Sequence, residues 1–279
     1  MPVGPEVTGI ELGVDLGVSD DGWLERRMWV PAGLDGPPDV LQGGLAAGVC
    51  TEIARAADRH GAPLTSLDAR LHAPTPQERE LTARVRATDG VARYEVQTVD
   101  GDELLVSAVV ELAGHDPVPQ VHDLAELATV PLPEPQPDES FPTCVICGPH
   151  PRHPLGQHLY PGYLGDDCVV TGWVADEAVS RDGERIHDLI VAAALDCPTL
   201  WSTMPHLRAA GYDLGLLAQY QLRVFTPPPV MEPLRTVARM DAADGRKLRA
   251  RGALVDEDGV VYAAASALHI AARAPAATS

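Results

Sequence analysis

Aromatic side chains are scarce in this chain of 279 residues. They make up 4% of it, with only two Phe, so a ring-stacking pocket has few candidate walls, among them Trp201, Tyr220 and Phe225. Positive charge is scarce too: 21 Lys and Arg stand against 40 Asp and Glu, a formal net charge of -19. Phosphate-backbone binding needs a basic face, so no nucleic-acid partner is expected, and an anionic membrane surface is disfavoured for the same reason. No run of about 18 apolar residues occurs, so no membrane-spanning helix is expected. The first residues lack a basic stretch followed by an apolar run, which argues against a signal peptide and for a cytoplasmic protein. Five cysteines, an odd number at irregular spacing, suit reduced thiols better than a disulfide framework.

What is present is a repeat. The length is near that of two ordinary domains, and 45% hydrophobic residues suffice for a packed core. Gly36 to Glu52 contains Gln42-Gly43-Gly44 opening a small-residue stretch that runs to Ala57, and Arg185 to Pro198 contains His187-Asp188-Leu189 opening a second one. Behind the first come strand-like alternations at 66–74, 81–86, 92–99 and 104–112; behind the second, at 219–226, 234–240, 247–255 and 260–270. A helix followed by a meander of strands, met twice at this period, is a duplicated domain and not a solenoid. The halves are expected over 1–125 and 144–279, joined by a linker over 126–143. Its core, Pro131 to Ser140, is too proline-rich and acidic for a helix or central strand and reads as an extended tether. Residues 1–5 and 274–279 read as frayed ends.

Both helix starts resemble those of hotdog-fold acyl-CoA thioesterases of the PaaI and 4-hydroxybenzoyl-CoA type. There a His-Gly-Gly opens a small-residue helix and an acid follows nine positions after the His. In the first copy Gln42 stands for the His, Gly43 and Gly44 survive, and Thr51 with Glu52 beside it stands at the acid position; in the second, His187 and Asp196 keep the spacing and Asp188-Leu189 replaces the glycines. The resemblance implies an α+β double hotdog, two long antiparallel sheets each wrapped around a central helix and paired as a pseudo-dimer. It also implies hydrolysis of an acyl-CoA or acyl-carrier thioester without a cofactor. Since one chain holds the minimal pair, assembly into homo-oligomers is permitted but not required.

Carried over residue by residue, the resemblance puts the oxyanion-polarising N–H at Gly43, at the positive end of the first helix. The acid, general base or nucleophile, is then Asp196 of the other half. Only this pairing retains both glycines and acid, so one composite site is expected to work and its twin to be vestigial. Thr226, before Pro227, matches a water-positioning hydroxyl, whereas the first half has Ala73 before Pro74. Gln42 is a candidate to hold the thioester carbonyl or a water. Gly44 and His187 are expected to contact substrate, and Arg235 and Arg239, in a run with Arg246, Lys247, Arg249 and Arg251, to meet coenzyme A phosphates. The alternative for these arginines is the solvated face of a sheet.

Two further motifs compete for a role. Cys144-Val145-Ile146-Cys147-Gly148, with His150, His153 and His158 nearby, has half of a zinc-site pattern but no second knuckle, so no metal is expected. The segment to Leu159 resembles the opening strand of PaaI-like proteins that carry none, and Cys197 reads as a packed apolar thiol. The run Gly183-Glu184-Arg185-Ile186-His187-Asp188 partly matches the motif of hotdog hydratases but lacks its Asn-Pro. A hydratase or dehydratase, and an acyl-CoA-binding protein that no longer turns over, therefore stand beside the thioesterase reading. With so few aromatic walls, the acyl group is expected to be aliphatic or branched.

Overall fold

The computed structural model describes residues 8–59, 61–89, 92–113, 121–165 and 167–273. The ends read as frayed, 1–5 and 274–279, lie outside these residues, as does 114–120 at the approach to the tether. The first half contributes strands β1 (Glu11–Val18), β2 (Leu24–Val30), β3 (Leu64–Leu71), β4 (Arg79–Ala87), β5 (Arg93–Asp100) and β6 (Glu103–Leu112), with helix α1 (Gly43–Ala57) between β2 and β3. The second contributes β7 (Gly162–Tyr163), β8 (Cys168–Val174), β9 (Leu214–Val224), β10 (Pro233–Asp244), β11 (Lys247–Val255) and β12 (Val261–Ala272). Its main helix is α3 (Asp188–Trp201), followed by the short α4 (Met204–Ala209). Strand β11 has the bounds expected from sequence, while β9 begins earlier, at Leu214, where it pairs with Ala272 at the end of β12.

All twelve strands form one antiparallel sheet in the order β1-β2-β4-β5-β6-β3-β9-β12-β11-β10-β8-β7. Read outward from the central β3–β9 pair, the two halves have matching orders, which is the duplication made structural. The halves join edge to edge, with Ser66 opposite Arg223, Ala69 opposite Tyr220 and Arg70 opposite Gln219. Each sheet covers the unpaired strand edge of the other there.

The two helices lie against one another inside the curve of the sheet. Small residues make that contact: a Cβ added at Gly44 would fall 2.6 Å from Ala192 O, and one at Gly48 2.8 Å from Leu189 Cα. The cost of glycine inside a helix, about 1 kcal/mol relative to alanine, is therefore tied to backbone-to-backbone packing. Every residue of α3 is buried, which suits its nearly uniform apolar sequence.

The entry to the linker is docked on the second half. Helix α2 (His122–Ala125), which ends just before the expected linker, and the 3₁₀ turn Glu126–Thr129, which begins it, bury Leu124 and Ala128 against the outer face of the second half, on Val170, Val237 and Val255. Beyond them, Pro131 to Ser140 has no regular structure, as its prolines require, and Gln136 N–H donates to Pro161 O at 2.9 Å. The expected opening strand from Cys144 to Leu159 is absent. That stretch is a chain of turns, and pairing starts only at β7 and β8, because Pro142, Pro149, Pro151 and Pro154 withhold ladder donors.

Candidate active site

The start of α1 is built from both halves. Gln42 is its N-cap: the side-chain Oε1 accepts from Leu45 N–H at 2.7 Å, and Nε2 donates to Asp196 Oδ2 at 2.7 Å. The same Oδ2 accepts from Gly44 N–H at 2.8 Å. A carboxylate from α3 thus caps the positive end of the helix opposite. Among the described residues, nothing accepts from the neighbouring Gly43 N–H. A Cβ at Gly43 would lie 2.9 Å from Leu217 Cβ and 3.0 Å from Asp196 Oδ2, so only glycine keeps that N–H open beside the acid.

Burial pushes the Asp196 carboxyl up to about 7, against the lowering effect of the Gly44 hydrogen bond. One side of the junction opens into a cavity of about 650 Å³. Its apolar wall includes Leu71, Phe141, Leu214, Leu217 and Ile270, and Arg273 is exposed at its edge. Among the described residues of this lining Phe141 is the one Phe, Tyr or Trp, and Trp201, Tyr220 and Phe225 are elsewhere. Thr75 also lines it, with a buried hydroxyl that has no hydrogen-bond partner among the described residues.

Sequence reasoning brings Gln42, Gly43, Gly44 and Asp196 together, and so does the structure, though with two of the roles changed. Gln42 has both ends engaged, on Leu45 and on Asp196, and Gly44 holds the acid. Neither amide is left to grip a substrate.

Thr226 is placed differently from the expectation. Antiparallel pairing of β3 with β9 sends their C-terminal ends in opposite directions, and each end stays beside its own helix start. Thr75 O accepts from Leu41 N–H, next to Gln42, whereas Pro228 O accepts from Ile186 N–H, next to His187, both at 2.9 Å. Thr226 therefore accompanies His187, and the hydroxyl that reaches the Asp196 cavity is Thr75.

His187 also belongs to that second junction. There Arg55 pairs with Asp188, and Arg181 Nη2 lies 3.0 Å from both Glu52 Oε1 and Asp188 Oδ2, while His187 Nδ1 lies 3.7 Å from Glu52. Burial lowers the His187 pKa, partly offset by Glu52. The expected substrate role for His187 has no support in this placement, because ion pairs fill the ground beside it.

Arg235 and Arg239 are likewise elsewhere. Arg235 Nη1 donates to Val130 O at 2.6 Å, and Arg239 Nη1 meets Asp123 at 3.3 Å. Both point to the outer face of the sheet, where they hold Val130 and Asp123, and neither lines the Asp196 cavity. What sequence reading missed are Thr75, Arg273 and the meeting of Cys197 with the Cys144–Cys147 pair, all of which line the cavity. The spacing of Cys144 and Cys147 flags those two, but nothing along the chain ties Cys197, Thr75 or Arg273 to them.

Two copies of a helix with its strands, joined in one continuous antiparallel sheet, make a double hotdog. Solved structures of that architecture superpose over nearly the whole chain. The acyl-CoA thioesterase II TesB2 from Mycobacterium marinum matches with a TM-score of 0.62 at 14% identity, covering 98% of each chain. A tesB protein from Mycobacterium avium subspecies paratuberculosis matches at 0.60 and 14%, covering 88% of this chain and 92% of that one. The dehydratase domain of PpsC from Mycobacterium tuberculosis, solved in complex with C12:1-CoA, matches at 0.62 and 16%, covering 93% and 98%. No family model and no curated protein matches the sequence. These likenesses establish the double-hotdog fold, which thioesterases and dehydratase domains share. No helix among the described residues is long and apolar enough to cross a membrane.

Proposed function

We propose that this protein hydrolyses an acyl thioester, carried on coenzyme A or an acyl carrier, where Asp196 meets the start of α1. The carrying observation is a buried carboxylate from one half, held at 2.8 Å by the Gly44 N–H of the other and open to an apolar cavity. A thioester whose carbonyl oxygen accepts from Gly43 N–H has its carbonyl carbon beside Asp196, with the helix's positive end meeting the oxyanion as it forms. Acting as base, Asp196 takes a proton from water as the new C–O bond forms. It returns that proton to the sulfur as the C–S bond breaks. Acting as nucleophile, it would form a mixed anhydride that water then cleaves; the geometry serves either route. Thr75 is suited to orient the water, Arg273 to meet the carrier's phosphates, and the apolar wall to hold an aliphatic or branched chain.

A dehydratase reading draws support from the near-neutral Asp196, which suits proton donation. It requires an imidazole opposite. Two histidines line the cavity: His269, lowered to about 3 by burial with Nε2 on Thr199 Oγ1 at 3.1 Å, and His72, with Nε2 on Ser107 Oγ at 2.9 Å. Both are turned to other partners, which favours hydrolysis.

The test is a panel of acyl-CoAs of graded length, read by free thiol, alongside 3-hydroxyacyl-CoAs read by enoyl-thioester absorbance. Thiol release that disappears in Asp196→Asn is expected. Enoyl formation without thiol would establish the dehydratase, and tight acyl-CoA binding without either product would establish a binding protein.

A further inference from the structure

The feature that the proposed reaction leaves unused is a set of three buried sulfurs beside it. Cys144 Sγ lies 3.4 Å from Cys147 Sγ and 3.8 Å from Cys197 Sγ, and all three sulfurs lie within 4.8 Å of one another. Sulfurs sharing a tetrahedral zinc at about 2.3 Å each stand roughly 3.8 Å apart. From this arrangement we infer that Cys144, Cys147 and Cys197 bind one zinc ion, with its fourth position facing the cavity that all three line.

The turn carrying the first two sulfurs is rigidly prepared. Gly148 N–H donates to Cys144 O at 2.8 Å, and a Cβ at Gly148 would lie 2.6 Å from both Cys144 N and Pro142 O, so only glycine closes it. Val145 N–H donates to Asp35 O at 2.8 Å, tying the turn to the first half, and Asp35 is gripped by Arg152 at 2.7 Å. The third sulfur arrives from α3.

Two buried donors belong to the same core as these sulfurs. Trp201 Nε1–H has no hydrogen-bond partner among the described residues. Gln42 Nε2 lies 3.5 Å from Cys197 Sγ. A thiol offers such donors little, whereas a zinc-bound thiolate accepts them. On binding, three thiols release their protons to solvent and the ion's two charges offset most of the resulting charge. The expectation of a metal-free Cys144–Cys147 pair rested on the missing second knuckle. Folding supplies the missing ligand from 50 residues further along, and His150, His153 and His158 are not in the set.

The inference does not rest on thioester hydrolysis, and its readout is metal. Full-length protein purified without chelator should carry about one zinc per chain by elemental analysis. Chelator should remove it and make three further thiols reactive. Cys144→Ser, Cys147→Ser and Cys197→Ser should each lose most of the zinc, while Asp196→Asn should retain it. If the serine variants fail to fold, cobalt exchanged into the unaltered protein should give a thiolate-to-cobalt charge-transfer band. Zinc no higher in the unaltered protein than in the serine variants, an intact mass two hydrogens lighter from a disulfide among these cysteines, or full zinc retained in a folded Cys197→Ser would each overturn the assignment.

Discussion

At the start of α1 one carboxylate, Asp196, accepts from two neutral donors, whereas at the start of α3 two carboxylates, Glu52 and Asp188, sit with two guanidinia, Arg55 and Arg181. The backbones of the two junctions are related by the duplication, so their difference is one of charge. A buried acid with only N–H donors keeps the desolvation cost of its charge and titrates near neutrality. Acids matched by guanidinia gain a structural role instead, and their partners occupy the space a substrate would need. The same fold thus holds a junction suited to chemistry and one suited to fastening the halves together.

The largest expected effect is on turnover. Asp196→Asn should lower thioester hydrolysis by about 10²- to 10⁴-fold, the usual worth of a general base, with Glu52→Gln within about twofold of the unaltered protein. Steady-state rates on the best acyl-CoA decide this, and equal losses would make both junctions catalytic. Stability should show the reverse order. Arg55→Ala leaves Asp188 and Glu52 with less compensation in a buried place and should cost about 3 kcal/mol in denaturant unfolding. A cost no greater than that of Asp196→Asn would remove the distinction between the junctions.

The pH dependence sharpens the comparison further. The folded-state pKa of Asp196 is raised from 3.8 to about 7, so between those values the folded chain holds a proton that the unfolded chain has released. Stability from this group falls as pH rises through that window. Unfolding free energies measured from pH 4 to 8 should decline less in Asp196→Asn than in the unaltered protein. If Asp196 acts as the base, kcat/KM should rise with pH through about 7, and an activity that falls there would favour the protonated acid of a dehydratase. Gly48→Ala forces a Cβ to within 2.8 Å of Leu189 Cα and should cost about 1–3 kcal/mol by pushing the helices apart. The smallest effects are expected on the outer face: Arg235→Ala and Arg239→Ala should leave KM for an acyl-CoA unchanged, while Arg273→Ala raises it.

Several of these features can be read in the chain before it folds. Gly43, Gly44 and Asp196 stand out because glycines at a helix start and an acid in an apolar helix are local anomalies, visible without knowing their neighbours. The strand alternations over 81–86 and 247–255 are legible for a similar reason, since each half-buried strand carries its own period. Thr226 misled because a hydroxyl before a proline is also a local signal, but its meaning depends on which helix start the strand end lies beside. Arg235 and Arg239 cluster in sequence as a phosphate site would, yet strand alternation turns them to the outer face, where Val130 and Asp123 wait.

The sequence by itself determined the duplication and the presence of one glycine-opened helix and one aligned acid, and through its resemblance to hotdog thioesterases it implied the double-hotdog architecture. The duplication and the two local anomalies follow from periodicity and residue type, which act over a few residues at a time. Tertiary structure decided which carboxylate stands alone, which hydroxyl reaches the cavity, and that Cys197 joins Cys144 and Cys147. Those depend on distances between residues far apart in the chain, set when β3 pairs with β9 and when glycines let α1 and α3 meet backbone to backbone.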